Sequence, residues 1–318
     1  MGLSAHAAAP AARCPDVPLR SAVPCSRVQA AGSARVRSTI AVVLTVHNRR
    51  DKTEAMLRTL IEQPNSAFPL HFYITDDGSN DGSAEAVLAV TPNAKILPGD
   101  GSLFWAGGMR LALDAARQDG HALYLLVNDD VVFDRDMLDR MIAATDATPA
   151  RPCIMVGSVR GEDGATSYGG FMRETGLGVR LARVEPDAHS SVPIATFNAN
   201  CVLLDAAAVE RLDGLDPIFT HALADIDLGL RARSAGIPVW LAPGHVGACA
   251  LNTGTLIPAV PVGWRAFVRR VLSPKGLPSR EWMLYNRRHA GASWPIPFLG
   301  AYVKLAARYA LSRWKSLT

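Results

Sequence analysis

Residues 123–133 read LYLLVNDDVVF, and this stretch decides the fold class. Five apolar, β-prone residues lead into Asn128, Asp129 and Asp130 before the chain turns apolar again. A continuous apolar run is typical of a strand buried on both faces, as in a parallel sheet covered by helices. Carboxylates at the carboxyl end of such a strand lie where α/β folds bind ligands, and they suit Mg²⁺ or Mn²⁺. The alternative is that Asp129 and Asp130 only cap the next helix.

Strand and helix patterns alternate along the first half of the chain. They predict strands at 40–46, 70–75, 95–97 and 123–127, and helices at 51–62, 84–90 and 109–119. Because parallel strands need crossover connections, this order predicts an α/β fold with a Rossmann-like, mostly parallel sheet flanked by helices. Its βαβ units should be right-handed.

The second half of the chain is less regular. We expect strands at 154–159 and 194–204, a long excursion with hairpin character between them, and helices at 205–212 and from Asp225 to Gly236. Residues 237–241 predict a late strand at the sheet edge, because Pro238 cannot donate in a central ladder.

Charge is segregated along the 318 residues. Residues 1–38 contain five Arg and one Asp, and residues 264–318 contain eleven Lys or Arg and only Glu281. We expect a disordered extension over 1–38, a main α/β domain over 39–250 and a basic helical extension over 251–318. No apolar run reaches the roughly 18–20 residues that span a bilayer. The five cysteines form no CxxC pair, which argues against a disulfide framework or structural zinc site.

Four blocks together carry a family resemblance: TVHNR at 45–49, DDGS at 76–79, NDD at 128–130 and DIDLGLR at 225–231. In this order they resemble family 2 inverting glycosyltransferases of GT-A fold, over roughly residues 39–250. Within that family the chain is most similar to the bacterial, rhamnosyltransferase-like members. The resemblance extends to FWAGG at 104–108 and KGLP at 275–278.

The resemblance implies transfer of a sugar, with inversion, from a nucleotide-diphosphate donor to a hydroxyl of a glycan or lipid-linked acceptor. It implies that Asp225 is the general base, that Asp130 binds the divalent cation, and that Asp129 contacts the ribose or sugar. Asp77 would accept a hydrogen bond from the base of the nucleotide. A metal ion would neutralise the departing diphosphate, and a carboxylate would deprotonate the acceptor hydroxyl.

Further residues follow from the same resemblance. The donor-binding set also includes Thr45, His47, Asn48, Arg49, Asp76, Trp105, Gly107, Gly108, Arg110 and Asn128. The acceptor-side set is Asn198, Asn200, His221 and Asp227.

Several of these residues have a second interpretation. Trp105 is either a packing residue or a platform for a sugar. Asn198 and Asn200 either face the acceptor or satisfy loop backbone, and His221 is a candidate structural histidine. Asp227 has the i,i+4 spacing for an ion pair with Arg231.

The basic C-terminal segment predicts contact with an anionic membrane surface at the cytoplasmic side of the cell membrane. One apolar face comprises Trp264, Phe267, Val268 and Val271, and a second comprises Phe298, Tyr302, Leu305 and Tyr309. Lys304, Arg308 and Lys315 lie opposite the second face. The alternative is that these helices pack on the catalytic domain. We expect no nucleic-acid partner, since no recognised nucleic-acid module accompanies the charge.

Two other functions fit parts of the sequence. Ala224 stands where the family usually has Glu, and His245 lies three residues before the position of a frequent metal-ligand His. These departures suit a nucleotide-sugar-binding protein without transferase activity. An α/β nucleotidyltransferase also uses metal and carboxylates at strand ends.

Overall fold

A computed structural model describes residues 37–64, 68–252, 256 and 262–315. The expected disordered extension therefore lies, apart from its last two residues, outside the described residues. The described residues from Arg37 onward belong to one compact unit.

The strands are β1 Arg37–Val46, β2 Leu70–Asp76, β3 Lys95–Pro98, β4 His121–Val127, β5 Val132–Phe133, β6 Ile154–Arg160, β7 Thr166–Tyr168, β8 Gly170–Glu174, β9 Arg180–Arg183, β10 Val192–Pro193, β11 Thr196–Phe197, β12 Cys201–Asp205 and β13 Val239–Ala248. The helices are α1 Arg50–Ile61, α2 Ser83–Val90, α3 Phe104–Asp119, α4 Met137–Asp146, α5 Ala206–Leu212, α6 Ala224–Ser234, α7 Trp264–Val271, α8 Ser279–His289 and α9 Pro295–Lys315.

The main sheet runs in the order β10-β13-β6-β12-β4-β1-β2-β3. Strands β3, β2, β1 and β4 pair in parallel, which confirms the predicted α/β fold. Helices cover both faces, and apolar side chains from alternate strand positions fill one core on each side. The ends of β1, β2 and β4 therefore meet at one rim.

Strand β12 inserts antiparallel between β4 and β6, so the sheet is mixed beyond the first four strands. In a separate three-stranded sheet, β11-β8-β9, strands β8 and β9 form the hairpin of the predicted excursion. The strand predicted over 194–204 is in fact two strands, because residues 198–200 leave the ladder and enter the rim. That interruption brings Asn198 and Asn200 toward the ends of the parallel strands.

The predicted start of one helix and the predicted edge position of one strand are wrong for physical reasons. Helix α3 begins at Phe104 and not at Met109, because Gly108 lets the helix approach β1 closely. An added Cβ on Gly108 would lie 2.1 Å from Oγ1 of Thr45. Strand β13 is not an edge, since it pairs with β6 on one side and with β5 and β10 on the other. Pro238 precedes the strand, and its carbonyl accepts the Ile154 N–H at 3.0 Å.

The C-terminal helices pack in two ways. The apolar faces predicted for 264–272 and 298–315 pack against each other, with Phe267, Val271 and Tyr309 buried between α7 and α9. The rings of Phe267 and Tyr309 stack at 4.3 Å between centroids. These faces therefore follow the packing interpretation and leave a different face of α9 exposed.

Candidate active site

One cavity of about 460 Å³ opens at the carboxyl ends of β1, β2 and β4. Asp77, Asp130 and Asp225, which are far apart in the chain, all line it. The other lining residues that the sequence singled out are Thr45, His47, Arg49, Trp105, Asn128, Asp129, Asn198, Asn200 and His221. The strand ends, the 198–200 interruption and the first turn of α6 thus build one site.

Two neighbouring carboxylates converge on a single cationic atom. Nη1 of Arg49 donates to Asp129 Oδ1 at 3.0 Å and to Asp130 Oδ2 at 2.7 Å. Burial raises the pKa of Asp129 to about 6, and the charge of Arg49 opposes that rise. Because α4 begins only at Met137, neither carboxylate caps a helix, and that alternative is wrong.

Asp77 shapes the loop that precedes α3. Its carboxylate is buried and accepts three backbone N–H groups, from Gly101 at 2.9 Å, Leu103 at 3.2 Å and Phe104 at 2.9 Å. The carbonyl of Asp77 also accepts the Nδ1–H of His47 at 2.6 Å. This one residue therefore joins the ends of β1 and β2 to the start of α3.

Asp225 lies in the first turn of α6 and is partly exposed to the cavity. Its carboxylate accepts the backbone N–H of Ile226 at 2.8 Å and of Ala199 at 3.2 Å, and Nδ2 of Asn198 at 3.4 Å. The enclosed surroundings raise the pKa of Asp225, and these hydrogen bonds only partly offset that effect. A carboxylate with a raised pKa that stays oriented by donors is suited to accept a proton.

Asp227 points away from the cavity even though it is two residues from Asp225. Its carboxylate is fully buried and contacts Arg231 at 2.7 Å, Arg288 at 2.7 Å and His289 at 2.8 Å. Burial alone would raise the pKa of Asp227, but these three partners outweigh it and lower the pKa. The predicted pair with Arg231 is present, and α8 adds the other two partners.

Trp105 and Asn128 contact each other within the cavity wall, with the indole Nε1–H donating to the amide oxygen at 2.8 Å. Asn200 is buried, and its carbonyl accepts the Asn128 N–H at 3.2 Å. The side-chain amide of Asn200 donates to Sγ of Cys249 at 3.9 Å, whereas the side-chain amide of Asn198 contacts Asp225.

The structure does not bring every predicted residue to the cavity. Asn48, Asp76, Gly107, Gly108, Arg110 and Asp227 are not among its lining residues. Asn48 and Asp76 fix the 79–80 turn, accepting the N–H of Asn80 and of Ser79 at 2.9 Å each. A buried nitrogen of Arg110 has no hydrogen-bond partner among the described residues.

Some lining residues had not been predicted as site residues. They include Phe104, Tyr168, Leu223, Asn252 and Lys275. Leu223 adopts a left-handed φ of 69°, a conformation that is rare for a bulky residue and that the sequence does not signal. The KGLP segment was a signal for Lys275, but nothing in the sequence placed it at the cavity.

The carboxylates of Asp129 and Asp130 agree with a divalent cation held jointly by the protein and a ligand. Asp129 and Asp130 already share one positive atom of Arg49, so a single cation can contact both. Across the described residues no cluster of three or more His, Cys, Asp or Glu side chains forms a metal cage. His245 is held elsewhere by Thr166 at 2.8 Å. Mg²⁺ typically takes one or two carboxylates and completes its shell with phosphates and water, which fits this pair.

Part of the sequence is similar to known glycosyltransferases. Residues 41–187 match the family model described as "Glycosyl transferase family 2". An N-acetylglucosaminyl-diphospho-decaprenol L-rhamnosyltransferase of Mycobacterium tuberculosis is 24% identical over 200 residues. That match covers 54% of this chain and 63% of the relative, which is less than two thirds of the relative's length.

Solved structures share the fold at low identity. A mannosyltransferase from Pyrobaculum calidifontis, in complex with GDP-Man and Mn²⁺, is 16% identical with a TM-score of 0.50, covering 89% of this chain and 74% of that chain. S. aureus TarS in complex with UDP-GlcNAc is 14% identical with a TM-score of 0.51, covering 78% and 70%. The predicted GT-A fold and the resemblance to rhamnosyltransferase-like proteins are thereby confirmed. Over residues 41–187 the chain is therefore similar to glycosyltransferase family 2, and it shares the fold of these solved transferases.

Proposed function

We propose that this protein moves a sugar from a nucleotide-diphosphate donor to a hydroxyl group of a lipid-linked or glycan acceptor, with inversion. The observation that carries the proposal is the single cavity that Asp77, Asp130 and Asp225 share. Diphosphate departure and deprotonation of the acceptor are the two demands of such a reaction. This cavity offers a separate carboxylate group for each.

Asp225 is the proposed general base. Two backbone N–H groups and Asn198 orient its carboxylate, and its raised pKa increases its affinity for a proton. The carboxylate takes the proton of the acceptor hydroxyl as that oxygen attacks the anomeric carbon. The bond from that carbon to the diphosphate breaks as the new bond forms, so one in-line displacement inverts the centre.

Asp130, with Asp129 within reach of the same point, would hold Mg²⁺ or Mn²⁺. When bound, the ion neutralises negative charge that develops on the leaving diphosphate. Arg49 orients both carboxylates at the same position. The wall formed by Thr45, His47 and the loop on Asp77 receives the nucleotide, and Trp105, fixed by Asn128, offers its ring to the sugar.

The acceptor proposal draws on the relative and on the C-terminal helices. The Mycobacterium tuberculosis relative is named for a diphospho-decaprenol acceptor, and we extend a lipid-linked acceptor to this chain. No helix among the described residues has the length and apolarity to cross a membrane. We propose contact with an anionic bilayer surface, at its cytoplasmic side, through α9.

One face of α9 supports this contact. Five apolar side chains are more than half exposed and define the exposed stripe: Ile296, Leu299, Val303, Leu311 and Trp314. The stripe lies opposite the face that packs on α7, and exposed Lys304 and Arg308 flank it. An apolar stripe with basic flanks matches the boundary between anionic headgroups and acyl chains. Co-sedimentation with vesicles containing anionic lipid measures this contact directly.

The transferase proposal is tested by a screen of sugar nucleotides for release of nucleoside diphosphate, with Asp225→Asn as the main variant. We expect Asp225→Asn to bind the donor normally and to lose about 100-fold or more in turnover, because it removes the general base. Asp213→Asn is the matched control, since Asp213 is exposed, lies outside the cavity and has a left-handed φ that Asn tolerates.

The outcomes separate the three functions. Near-normal turnover by Asp225→Asn would remove Asp225 from the mechanism. Binding of sugar nucleotides by the wild type without any turnover would favour the non-catalytic binding protein. Release of pyrophosphate from a nucleoside triphosphate would favour the nucleotidyltransferase.

A further inference from the structure

The cavity contains more negative than positive charge. Four carboxylates line it, and they belong to Asp77, Asp129, Asp130 and Asp225. Arg49 is a lining cation, but both Asp129 and Asp130 already share its Nη1 atom. Lys275 is the other lysine or arginine at the wall, and it forms no ion pair within the described part of the chain. Lys275 is exposed, so its ammonium group is available to a ligand that enters the cavity.

A closed turn holds Lys275 at this position. The Gly276 N–H donates to the Ser273 carbonyl at 2.8 Å, and the Leu277 N–H donates to the Val271 carbonyl at 2.5 Å. A Cβ on Gly276 would lie 2.3 Å from the carbonyl oxygen of Val271, so any side chain there displaces the turn. The sequence KGLP thus encodes a tight connection between α7 and α8, with Lys275 next to its obligatory glycine.

Helix α8 ties this turn to the cavity wall. Buried Glu281 accepts the hydroxyl of Thr220 at 2.7 Å and the Thr220 N–H at 3.4 Å. The Thr220 carbonyl in turn accepts the Ala106 N–H of α3 at 3.1 Å. Lys275 therefore reaches the cavity from a segment bonded to the loop that carries His221 and to the helix that carries Trp105.

The imidazole of His221 lies near enough to Lys275 to be affected by its charge. Burial, reinforced by the positive charge of Lys275, lowers the pKa of His221, so its imidazole is neutral near pH 7. Its Nδ1 atom is buried without a hydrogen-bond partner among the described residues, and its ring meets that of Phe104 at 6.2 Å between centroids. Among the described residues that line this part of the wall, Lys275 therefore supplies the positive charge.

We propose that Lys275 binds a diphosphate in the cavity and is a second cationic contact for it, separate from the Arg49, Asp129 and Asp130 group. This inference rests on the proposed function, which supplies two sources of a diphosphate. One is the nucleoside diphosphate of the donor, and the other is a diphosphate in a lipid-linked acceptor. An ammonium group binds either through charge-assisted hydrogen bonds. The C-terminal segment would then complete the reaction site besides contacting the membrane.

The test compares Lys275→Gln with wild type in two measurements. The first is the Kd of UDP, GDP and dTDP by calorimetry, with and without Mn²⁺. The second is the KM of a lipid-linked diphosphate acceptor at saturating donor. We expect one of the two constants to rise about 10- to 100-fold, as loss of a contact to a charged group does. A rise in Kd assigns the donor as the source, and a rise in KM alone assigns the acceptor.

Three further variants keep the test specific. Lys275→Arg should retain most of the affinity, and Gly276→Ala should reproduce the loss because it displaces the turn. Arg280→Gln is the matched control, since Arg280 is exposed on α8 and absent from the cavity lining. Thermal unfolding shows whether each variant is folded. Near-wild-type values of both constants in folded Lys275→Gln would overturn the inference. If the wild type neither bound a nucleotide nor transferred a sugar, that result would instead overturn the proposed function.

Discussion

Helices α8 and α9 come from the same basic segment, but their charges have different surroundings. On α8, Arg288 and His289 contact buried Asp227, and Glu281 contacts Thr220 beside the cavity. On α9, Lys304 and Arg308 are exposed and form no ion pair within the described residues, while the other side packs on α7. Composition identified the segment as basic. The positions of the acidic partners distinguish α8, which is bonded to residues beside the cavity, from α9, which keeps one face exposed.

The strongest test of α8 is removal of the carboxylate that it contacts. We expect Asp227→Ala to lower the free energy of unfolding by about 3–5 kcal/mol, because two guanidinium groups and an imidazole lose their buried partner. Urea denaturation of the variant measures the change. Arg308→Gln on α9 is the control and should stay within about 0.5 kcal/mol of wild type. A loss below about 1 kcal/mol for Asp227→Ala would contradict a structural role for this contact.

Acid should weaken the same contact. The folded-state pKa of Asp227 lies below its unfolded value, so its stabilisation is complete above the unfolded pKa of about 3.9 and is lost as pH falls through the folded pKa. Wild type should therefore lose more stability than Asp227→Ala on acidification below about pH 4. Unfolding midpoints measured from pH 6 downward check this, and parallel curves for the two proteins would contradict it.

Asp225 should titrate in the opposite direction. Because its pKa is raised, the proposed base takes up a proton at a higher pH than an ordinary aspartate. We therefore expect turnover to decline on acidification, with the midpoint of the decline above about pH 3.9. A profile of kcat against pH shows this limb. Asp213→Asn should leave the limb unchanged, since Asp213 lies outside the cavity. A flat profile down to the ordinary range of aspartate would remove Asp225 as the titrating base.

The strand-end residues were predictable from the sequence, and the reason is local. Apolar runs that end in polar residues fix where β1, β2 and β4 stop, and parallel pairing then places those ends together. The start of α3 was mispredicted because Gly108 is favourable there only through its close contact with Thr45. Such a contact joins residues far apart in the chain, which periodicity does not report.

Residues of the C-terminal segment were harder to place for a related reason. The faces that carry Phe267 and Tyr309 have the amphipathic pattern of a membrane-binding helix, and the structure uses them for packing. The same periodicity suits both partners, so the pattern alone does not choose between them. Lys275 lines the cavity and Glu281 contacts Thr220 beside it. Both positions depend on tertiary contacts, which have no local signature in the sequence.

A substitution in the exposed stripe of α9 should have an effect of intermediate size on membrane binding. Val303→Asp should weaken binding to anionic vesicles about tenfold or more, since burial of one such side chain contributes about 1.5–3 kcal/mol. Turnover on an acceptor without a lipid chain should not change, because Val303 lies outside the cavity. Leu88→Asp is the matched control, being an exposed apolar residue on α2. Equal vesicle binding by Val303→Asp and wild type would argue against the stripe.

Two helical glycines give the smallest expected change and the closest comparison between a site helix and α9. A Cβ on Gly300 of α9 would meet nothing within 4 Å, so Gly300→Ala should stabilise the protein by about 0.5–1 kcal/mol through helix propensity alone. A Cβ on Gly108 of α3 would lie 2.1 Å from Oγ1 of Thr45, and overpacking of about 1–3 kcal/mol should exceed the same gain. Because Thr45 lines the cavity, Gly108→Ala should also weaken donor binding, whereas Gly300→Ala should not. Thermal unfolding and donor affinity measure both effects, and stabilisation by both alanines would contradict the close contact between α3 and β1.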